Sequence, residues 1–244
     1  MQVKVVDLET TVRCPVGNNK AHPMWKGNKI IAVGVHTDAA GVQGTYSKSG
    51  VGMPWADVYG NRYLVGHNIK FDLLYMWRGS PTSKLPSIWD TQLAEYILTA
   101  QQSKYASLDE LTEKYIGKHA LKDSSIKEHW DKGGQTEDID EKKLCDYLKS
   151  DVENTKAIFH KQWEVAKDQE QLPLILAQMD ALRATTAMNL VGMAIDWEYV
   201  EKQKIAYSDK QEVLRKDIEK LAPGLDPASP KQLSLYFFVG EETV

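Results

Sequence analysis

Two carboxylates two residues apart, at the end of a β-branched run, constrain this chain more than any other feature. The N-terminal stretch reads Val3-Lys-Val-Val-Asp7-Leu-Glu9-Thr-Thr11. Its composition predicts a strand over Val3–Val6, with the residues that follow projecting from the end of a sheet. Strand side chains alternate between faces, so Asp7 and Glu9 point to the same side. Two ionised carboxylates held that close repel each other unless a cation lies between them, and a hard divalent metal suits oxygen ligands. Taken alone, the pair reads better as two solvated acids at a strand end. Acidic elements further along the chain change that reading.

The chain has 244 residues, enough for one large domain or a domain with an appendage. With 42% hydrophobic and 26% charged residues it has the balance of a globular protein and not of a disordered one. No apolar run reaches the ~18 residues needed to span a bilayer, and the first residues lack a basic stretch followed by an apolar one. The expectation is therefore a cytoplasmic protein with no membrane partner. Cys14 and Cys145 form neither a disulfide framework nor a metal-binding spacing, as suits a reducing compartment. The net charge of −4 argues against nucleic-acid binding through a broad basic surface. It is compatible with a site that meets phosphates through metal ions, because such a site must itself be acidic.

Along the chain, Thr11–Asn28 has Pro15, Gly17, Pro23 and Gly27 without periodicity and reads as a loop. Lys29–His36 and Val42–Tyr46 read as strands joined by a turn at Asp38–Gly41, which makes the first three strands an antiparallel meander. A fourth short strand, Tyr63–Val65, leads into a helix over Ile69–Trp77, with Asn68 placed as its N-cap. Helices are predicted over Thr91–Leu98 and over Ser107–Ile116, the latter opening on a capping-box pattern at Ser107 and Glu110. Lys118–Gln135 is polar, carries Gly133-Gly134, and reads as an irregular, mobile excursion. Long helices follow over Ile139–Lys167, Leu172–Leu190 and Trp197–Leu221, and Ser229-Pro230 opens a last one over Lys231–Phe238.

Two stretches add to the first carboxylate pair. His67-Asn-Ile-Lys-Phe-Asp72 starts a helix; by itself, Asn68 is a cap and Asp72 a first-turn acid favoured by the helix dipole. Tyr147-Leu-Lys-Ser-Asp151 lies inside the long helix, where residues four apart share a face, so the Tyr147 hydroxyl and Asp151 carboxylate reach toward one point. By itself this is a surface pair. All three together, in this order and at these separations, resemble the DEDD superfamily of 3′-to-5′ exonucleases. Asp146 stands where the histidine subclass carries its His, and Tyr147 marks the tyrosine subclass. Trp89-Asp-Thr-Gln-Leu-Ala-Glu-Tyr-Ile-Leu98 and Ser107-Leu-Asp-Glu-Leu-Thr-Glu-Lys-Tyr-Ile-Gly117 are similar to the proofreading domains of family A DNA polymerases, phage-type enzymes in particular. Asn189-Leu-Val-Gly-Met-Ala-Ile-Asp196 and Ser229-Pro-Lys-Gln-Leu233 resemble the start of the polymerase domain at the thumb base. No palm or fingers motif follows.

The resemblance implies an α/β ribonuclease H-like fold: a mixed five-stranded sheet flanked by helices, with a C-terminal helical appendage. It divides the chain into an exonuclease domain over 1–168 and a thumb-like segment over 169–244, without polymerase activity of its own. It implies two divalent ions, Mg²⁺ or Mn²⁺, with Asp7 bridging, Glu9 and Asp151 on the nucleophile side, and Asp72 at or near the leaving-group side. Tyr147 orients the attacking water, since a phenol with an ordinary pKa near 10 stays protonated at working pH. Thr10 takes the place that contacts the terminal nucleotide, and Val12 or Arg13 the neighbourhood of a wedge against its base. His67, Asn68 and Phe71 flank the substrate, although His67 reads better as a structural histidine and Phe71 as a helix anchor. The implied substrate is a single-stranded or mismatched DNA 3′ end, and the implied partner is a polymerase domain in cis or in trans. An RNA-trimming member of the subclass, or a binding module without turnover, are the competing readings.

Overall fold

The computed structural model describes residues 3–17, 19–37, 41–51, 63–79, 87–102, 104–117 and 124–239. Short apolar runs assemble one sheet in the order β3-β2-β1-β4-β5. Its strands are β1 (Val3–Thr10), β2 (Ile30–Thr37), β3 (Gly41–Tyr46), β4 (Tyr63–Gly66) and β5 (Ser87–Asp90). The meander expected for the first three is present: β1 pairs antiparallel with β2, and β2 with β3. The other edge of β1 pairs parallel with β4, and β4 parallel with β5. The expected turn at Asp38–Gly41 lies largely outside the described residues.

β1 is longer than its apolar run. Pairing with β2 continues through Glu9, opposite Ala32, and then slips at a bulge before Thr10, which faces Ile30. On the other side, β4 reaches only as far as Val5. Asp7 and Glu9 thus lie within a strand, not beyond its end, on the part that β4 does not pair with.

The helices of this part are α1 (Ile69–Gly79), α2 (Thr91–Leu98), α3 (Leu108–Ile116), α4 (Ser124–Asp131), α5 (Glu141–Asp168) and α6 (Leu172–Val191). α5 runs across β1, β2, β3 and β4, and it buries Leu144, Leu148, Val152, Thr155, Phe159, Gln162 and Ala166 at three- to four-residue steps, with Ile158 beside them. Trp89 of β5 is fully enclosed and meets the Phe159 ring edge-on at 5.4 Å. Truncating either ring to alanine would cost about 3–5 kcal/mol. α3 carries the expected capping box, with Ser107 and Glu110 each accepting from the other's backbone N–H.

The expected five-stranded sheet is present, one sequence expectation is corrected, and one strand was not located from sequence. The stretch Lys118–Gln135 is not wholly irregular: α4 lies within it, with Ile126 buried, and a 3₁₀ turn follows at Thr136–Asp138. The sequence reading also passed over β5, whose four residues hold only Ile88 and Trp89 as apolar signal.

The Thr11–Asn28 loop has no regular structure among its described residues, yet it is firmly tied. Buried Asn28 donates from Nδ2 to the carbonyls of Lys20 and His22 and accepts from Thr11 Oγ1 and the Arg13 N–H. From α1, Arg78 donates to the carbonyls of Pro23, Trp25 and Asn28, and the Tyr75 hydroxyl donates to Ala21 O.

The chain divides into two compact units, Met1–Gly192 and Met193–Val244. The sequence reading drew its boundary at 168 on resemblance. By packing, α6 goes with the first unit, where Ile175 and Met179 enter the core beside α1 and β5. The second unit holds α7 (Trp197–Leu221), capped by Asp196 accepting from the Tyr199 N–H at 2.9 Å, and α8 (Pro230–Ser234), which passes into a π turn at Leu235–Val239. Among the described residues, no helix is long and apolar enough to cross a membrane.

Candidate active site

The site is built on β1. Along it Val6, Leu8 and Thr10 are buried on one face; on the other, Val3 and Val5 are buried and Asp7 and Glu9 are half-exposed. Opposite Asp7 on β2 stands Gly34, and opposite Glu9 stands Ala32. A Cβ at Gly34 would come within 2.8 Å of Leu148 Cγ and 2.9 Å of Val152 Cγ2. Register partners in an antiparallel pair present their side chains to the same face, so this is the face that Asp7 shares. The missing side chain lets α5 settle against the sheet beside Asp7.

Tyr147 and Asp151 each precede one of the two residues that touch Gly34, and they share the adjacent stripe of α5. Asp151 is buried and Tyr147 half-buried. The Tyr147 hydroxyl is pushed well above the ordinary phenol range, first by burial and then by the charges of Asp151, Glu9 and Asp7. It therefore keeps its proton at neutral pH. The helix pair and the strand pair, read as separate motifs, thus act on one another.

Asp72 enters from α1. The chain leaves β4 at Gly66, where a Cβ would crowd Ile69 Cγ1 at 2.8 Å, and turns through Asn68 in a left-handed conformation (φ 54°). Asp72 follows in the first turn, 2% exposed, with Oδ1 buried and accepting no hydrogen bond among the described residues. Its carboxyl is held well above the usual range by burial first, then by Asp7, with smaller contributions from Asp90 and Glu9.

These mutual effects bring Asp7, Glu9, Asp72, Asp151 and Tyr147 into one electrostatic neighbourhood. Among the described residues, no three His, Cys, Asp or Glu side chains are already gathered as a metal-ligand set. The donor chemistry fits a hard divalent ion, being all oxygen, with Asp72 Oδ1 buried and accepting no hydrogen bond among the described residues.

The remaining expected residues are distributed around this group. His67 Nδ1 lies 3.0 Å from Thr91 Oγ1, at the junction of α1 and α2. Asn68 is exposed, and its N–H donates to Asp90 Oδ1 at 3.0 Å. Phe71 packs partly on the core and against Tyr75, its ring centroid 5.1 Å away. With Asn68, Lys70, His22 and Met24 it lines a cavity of about 390 Å³. Thr10 is 5% exposed and its carbonyl is engaged with Thr136. Arg13 is ion-paired with Glu137.

Asp90 was not singled out from sequence. It is buried at the end of β5, caps α2 by accepting from the N–H groups of Gln92 and Leu93, and holds the start of α1 through Asn68. Burial raises its pKa to about 6. An acid just before an amphipathic run is an N-cap signal, which could have marked it.

Residues 55–167 match the family model described as 3′-5′ exonuclease. Over that span the chain is similar to 3′-5′ exonuclease domains. The matched span contains Asp72, Tyr147 and Asp151; Asp7 and Glu9 lie before it. No curated protein matches the sequence.

Among solved structures, the chain resembles the POL domain of Pol1 from M. smegmatis, in complex with DNA primer-template and dNTP, with a TM-score of 0.72 and 14% identity. That likeness covers 98% of this chain and 37% of the polymerase chain. Brucella melitensis NrnC with bound Mg²⁺ matches at a TM-score of 0.58 and 13% identity, covering 78% of this chain and 86% of that one. Escherichia coli RNase D, an exoribonuclease involved in structured RNA processing, matches at 0.56 and 14%, covering 75% and 44%. At such identities the likeness establishes the fold: the ribonuclease H-like fold of 3′-5′ exonucleases.

Proposed function

We propose that this exonuclease hydrolyses DNA from single-stranded or mismatched 3′ ends, releasing nucleoside monophosphates, and proofreads for a DNA polymerase. The observation that carries the reading is the convergence of acids from β1, α1 and α5 on one neighbourhood that also holds a protonated tyrosine. Asp7, Glu9, Asp72 and Asp151 would hold two divalent ions, Mg²⁺ or Mn²⁺, which when bound acidify water and offset charge on the phosphate and leaving oxygen.

The chain's own residues do the rest. Asp7 and Glu9, fixed by the β1–β2 ladder, present their carboxylates from a rigid element. Asp72 is the most buried acid and gains most from a neighbouring cation, because ionisation there is otherwise opposed by burial and by Asp7. Tyr147 keeps its proton and orients the attacking water as a hydroxyl instead of removing a proton from it. The cavity at Phe71 and Asn68 leaves room for a frayed strand. Unpairing costs less at a mismatch, so mismatched ends reach the site more often.

Preference for DNA over RNA is supported by the extent of the Pol1 likeness, which covers 98% of the chain, whereas the NrnC and RNase D likenesses cover 78% and 75%. The second unit then belongs to the start of a polymerase domain, and the partner is the remainder of that domain, in cis or in trans, in the cytoplasm of a bacterial or phage-infected cell. A direct comparison tests this. A 5′-labelled DNA strand with a paired 3′ end, the same strand with a mismatched end, and an RNA of the same sequence are incubated with the protein and Mg²⁺. The expected order of rates is mismatched DNA, paired DNA, RNA. RNA degraded fastest would transfer the reading to RNA trimming, and binding without degradation of any strand would make the chain a binding module.

A further inference from the structure

The segment between α3 and α5 is built into the site. At the Glu9/Thr10 bulge the ladder with β2 is interrupted, and the Thr10 carbonyl accepts the Thr136 hydroxyl at 2.6 Å. Thr136 has no exposed surface. A threonine hydroxyl has one proton, and once it is given to Thr10 the oxygen is left to accept. The Trp130 indole N–H donates to it at 3.1 Å. The direction of the relay is thereby fixed, from Trp130 Nε1 to Thr136 Oγ1 to Thr10 O.

Each of its ends neighbours a site residue. Thr10 follows Glu9 directly. The Trp130 ring stands edge-on to the Tyr147 ring, with centroids 6.0 Å apart and planes at 82°. Ile126, Ile139, Leu144 and Leu148 close the space beneath both rings, and the Arg13–Glu137 ion pair ties the same seam farther along. α5 fixes where the Tyr147 Cα lies, but a tyrosine on a helix face still has its side-chain torsions to choose. We propose that Thr136 and Trp130 are positioning residues that set the Tyr147 ring against the Glu9 end of β1. The kinetic consequence rests on the exonuclease reading; the structural one does not.

Two arms keep these apart. With 3-fluorotyrosine at position 147 alone, the metal-free full chain is expected to show one narrow ¹⁹F resonance. Thr136→Val, which can neither donate to Thr10 nor accept from Trp130, and Trp130→Phe, which keeps a ring but loses the N–H, each shift or split it. Thr136→Ser restores it. A resonance unchanged in both variants overturns the proposal, and Trp130→Phe alone decides if Thr136→Val does not fold. In single-turnover hydrolysis of 5′-labelled single-stranded DNA with Mg²⁺, Thr136→Val lowers the rate constant about tenfold at unchanged half-saturating DNA, and Thr136→Ser recovers it. In a Tyr147→Phe background the same Thr136→Val change has no further effect, because the hydroxyl it positions is already gone. Fully additive losses overturn the proposal. If the wild type degrades neither DNA nor RNA, the exonuclease reading fails and the fluorine arm still decides the positioning.

Discussion

Replacing Gly34 with alanine tests whether packing on the sheet sets the geometry of the site. The new methyl would lie 2.8 Å from Leu148 Cγ and 2.9 Å from Val152 Cγ2. That is about 0.7 Å inside ordinary carbon–carbon contact. Neither neighbour has room to turn away: Leu148 is 1% exposed and Val152 is fully buried, and branching restricts its rotamers. The helix itself must retreat, at an overpacking cost of about 1–3 kcal/mol, which for a unit of this size lowers the unfolding midpoint by roughly 2–12 °C. Tyr147 and Asp151 ride on the same turns of α5, whereas Asp7 stays with β1. A displacement approaching 1 Å between reacting groups costs on the order of 100-fold in rate. Thermal unfolding and single-turnover hydrolysis of labelled DNA are measured on the same preparation. An unchanged midpoint and rate would refute the seating of α5 on β2. A lowered midpoint with a full rate would refute the step from packing to catalysis.

Three further outcomes are expected. Asp90 has its folded pKa raised by burial from 3.8 to about 6. Its contribution to stability is therefore complete below the unfolded pKa and is lost as pH rises through about 6. The loss at neutral pH is about 3 kcal/mol relative to an uncharged equivalent. Urea unfolding from pH 4 to 7 should show Asp90→Asn with a shallower fall in stability than wild type, and parallel curves would contradict it. Tyr147→Phe should slow single-turnover hydrolysis less than Asp7→Ala, since the tyrosine orients a water and the aspartate completes the ion site; equal losses would contradict that ranking. Arg78→Lys should loosen the loop Lys20–Asn28, because an ammonium concentrates its donors on one nitrogen and lacks the planar fork with which the guanidinium reaches three carbonyls from two nitrogens. Faster amide exchange at the loop's bonded N–H groups, such as those of Trp25 and Asn28, with the sheet unchanged, is the check.

Sequence made the strands of the meander, the main helices and the spacing of Asp7, Glu9, Asp72, Tyr147 and Asp151 legible, because each follows a local period of two or of about 3.6 residues. What escaped was carried by contacts across long separations. Thr136 meets the Thr10 carbonyl 126 positions away in the chain, and neither residue announces it. α4 was hidden because Ile126 and Trp130 are its only large apolar residues. Asp90 was read as part of a longer motif, while its work is to hold the N-termini of two helices at once. The extension of β1 through Thr10 was missed because charged residues weaken strand propensity, and pairing with β2 overrides it.

The measurement that bears most directly on the central claim is degradation of a 5′-labelled single-stranded DNA by wild type and by Asp7→Ala, each with Mg²⁺, with Mn²⁺ and with EDTA. The expected result is a ladder that shortens from the 3′ end by single nucleotides, requires the metal, and disappears in Asp7→Ala. A ladder that persists in EDTA or in Asp7→Ala would contradict a metal-dependent site built on the first strand.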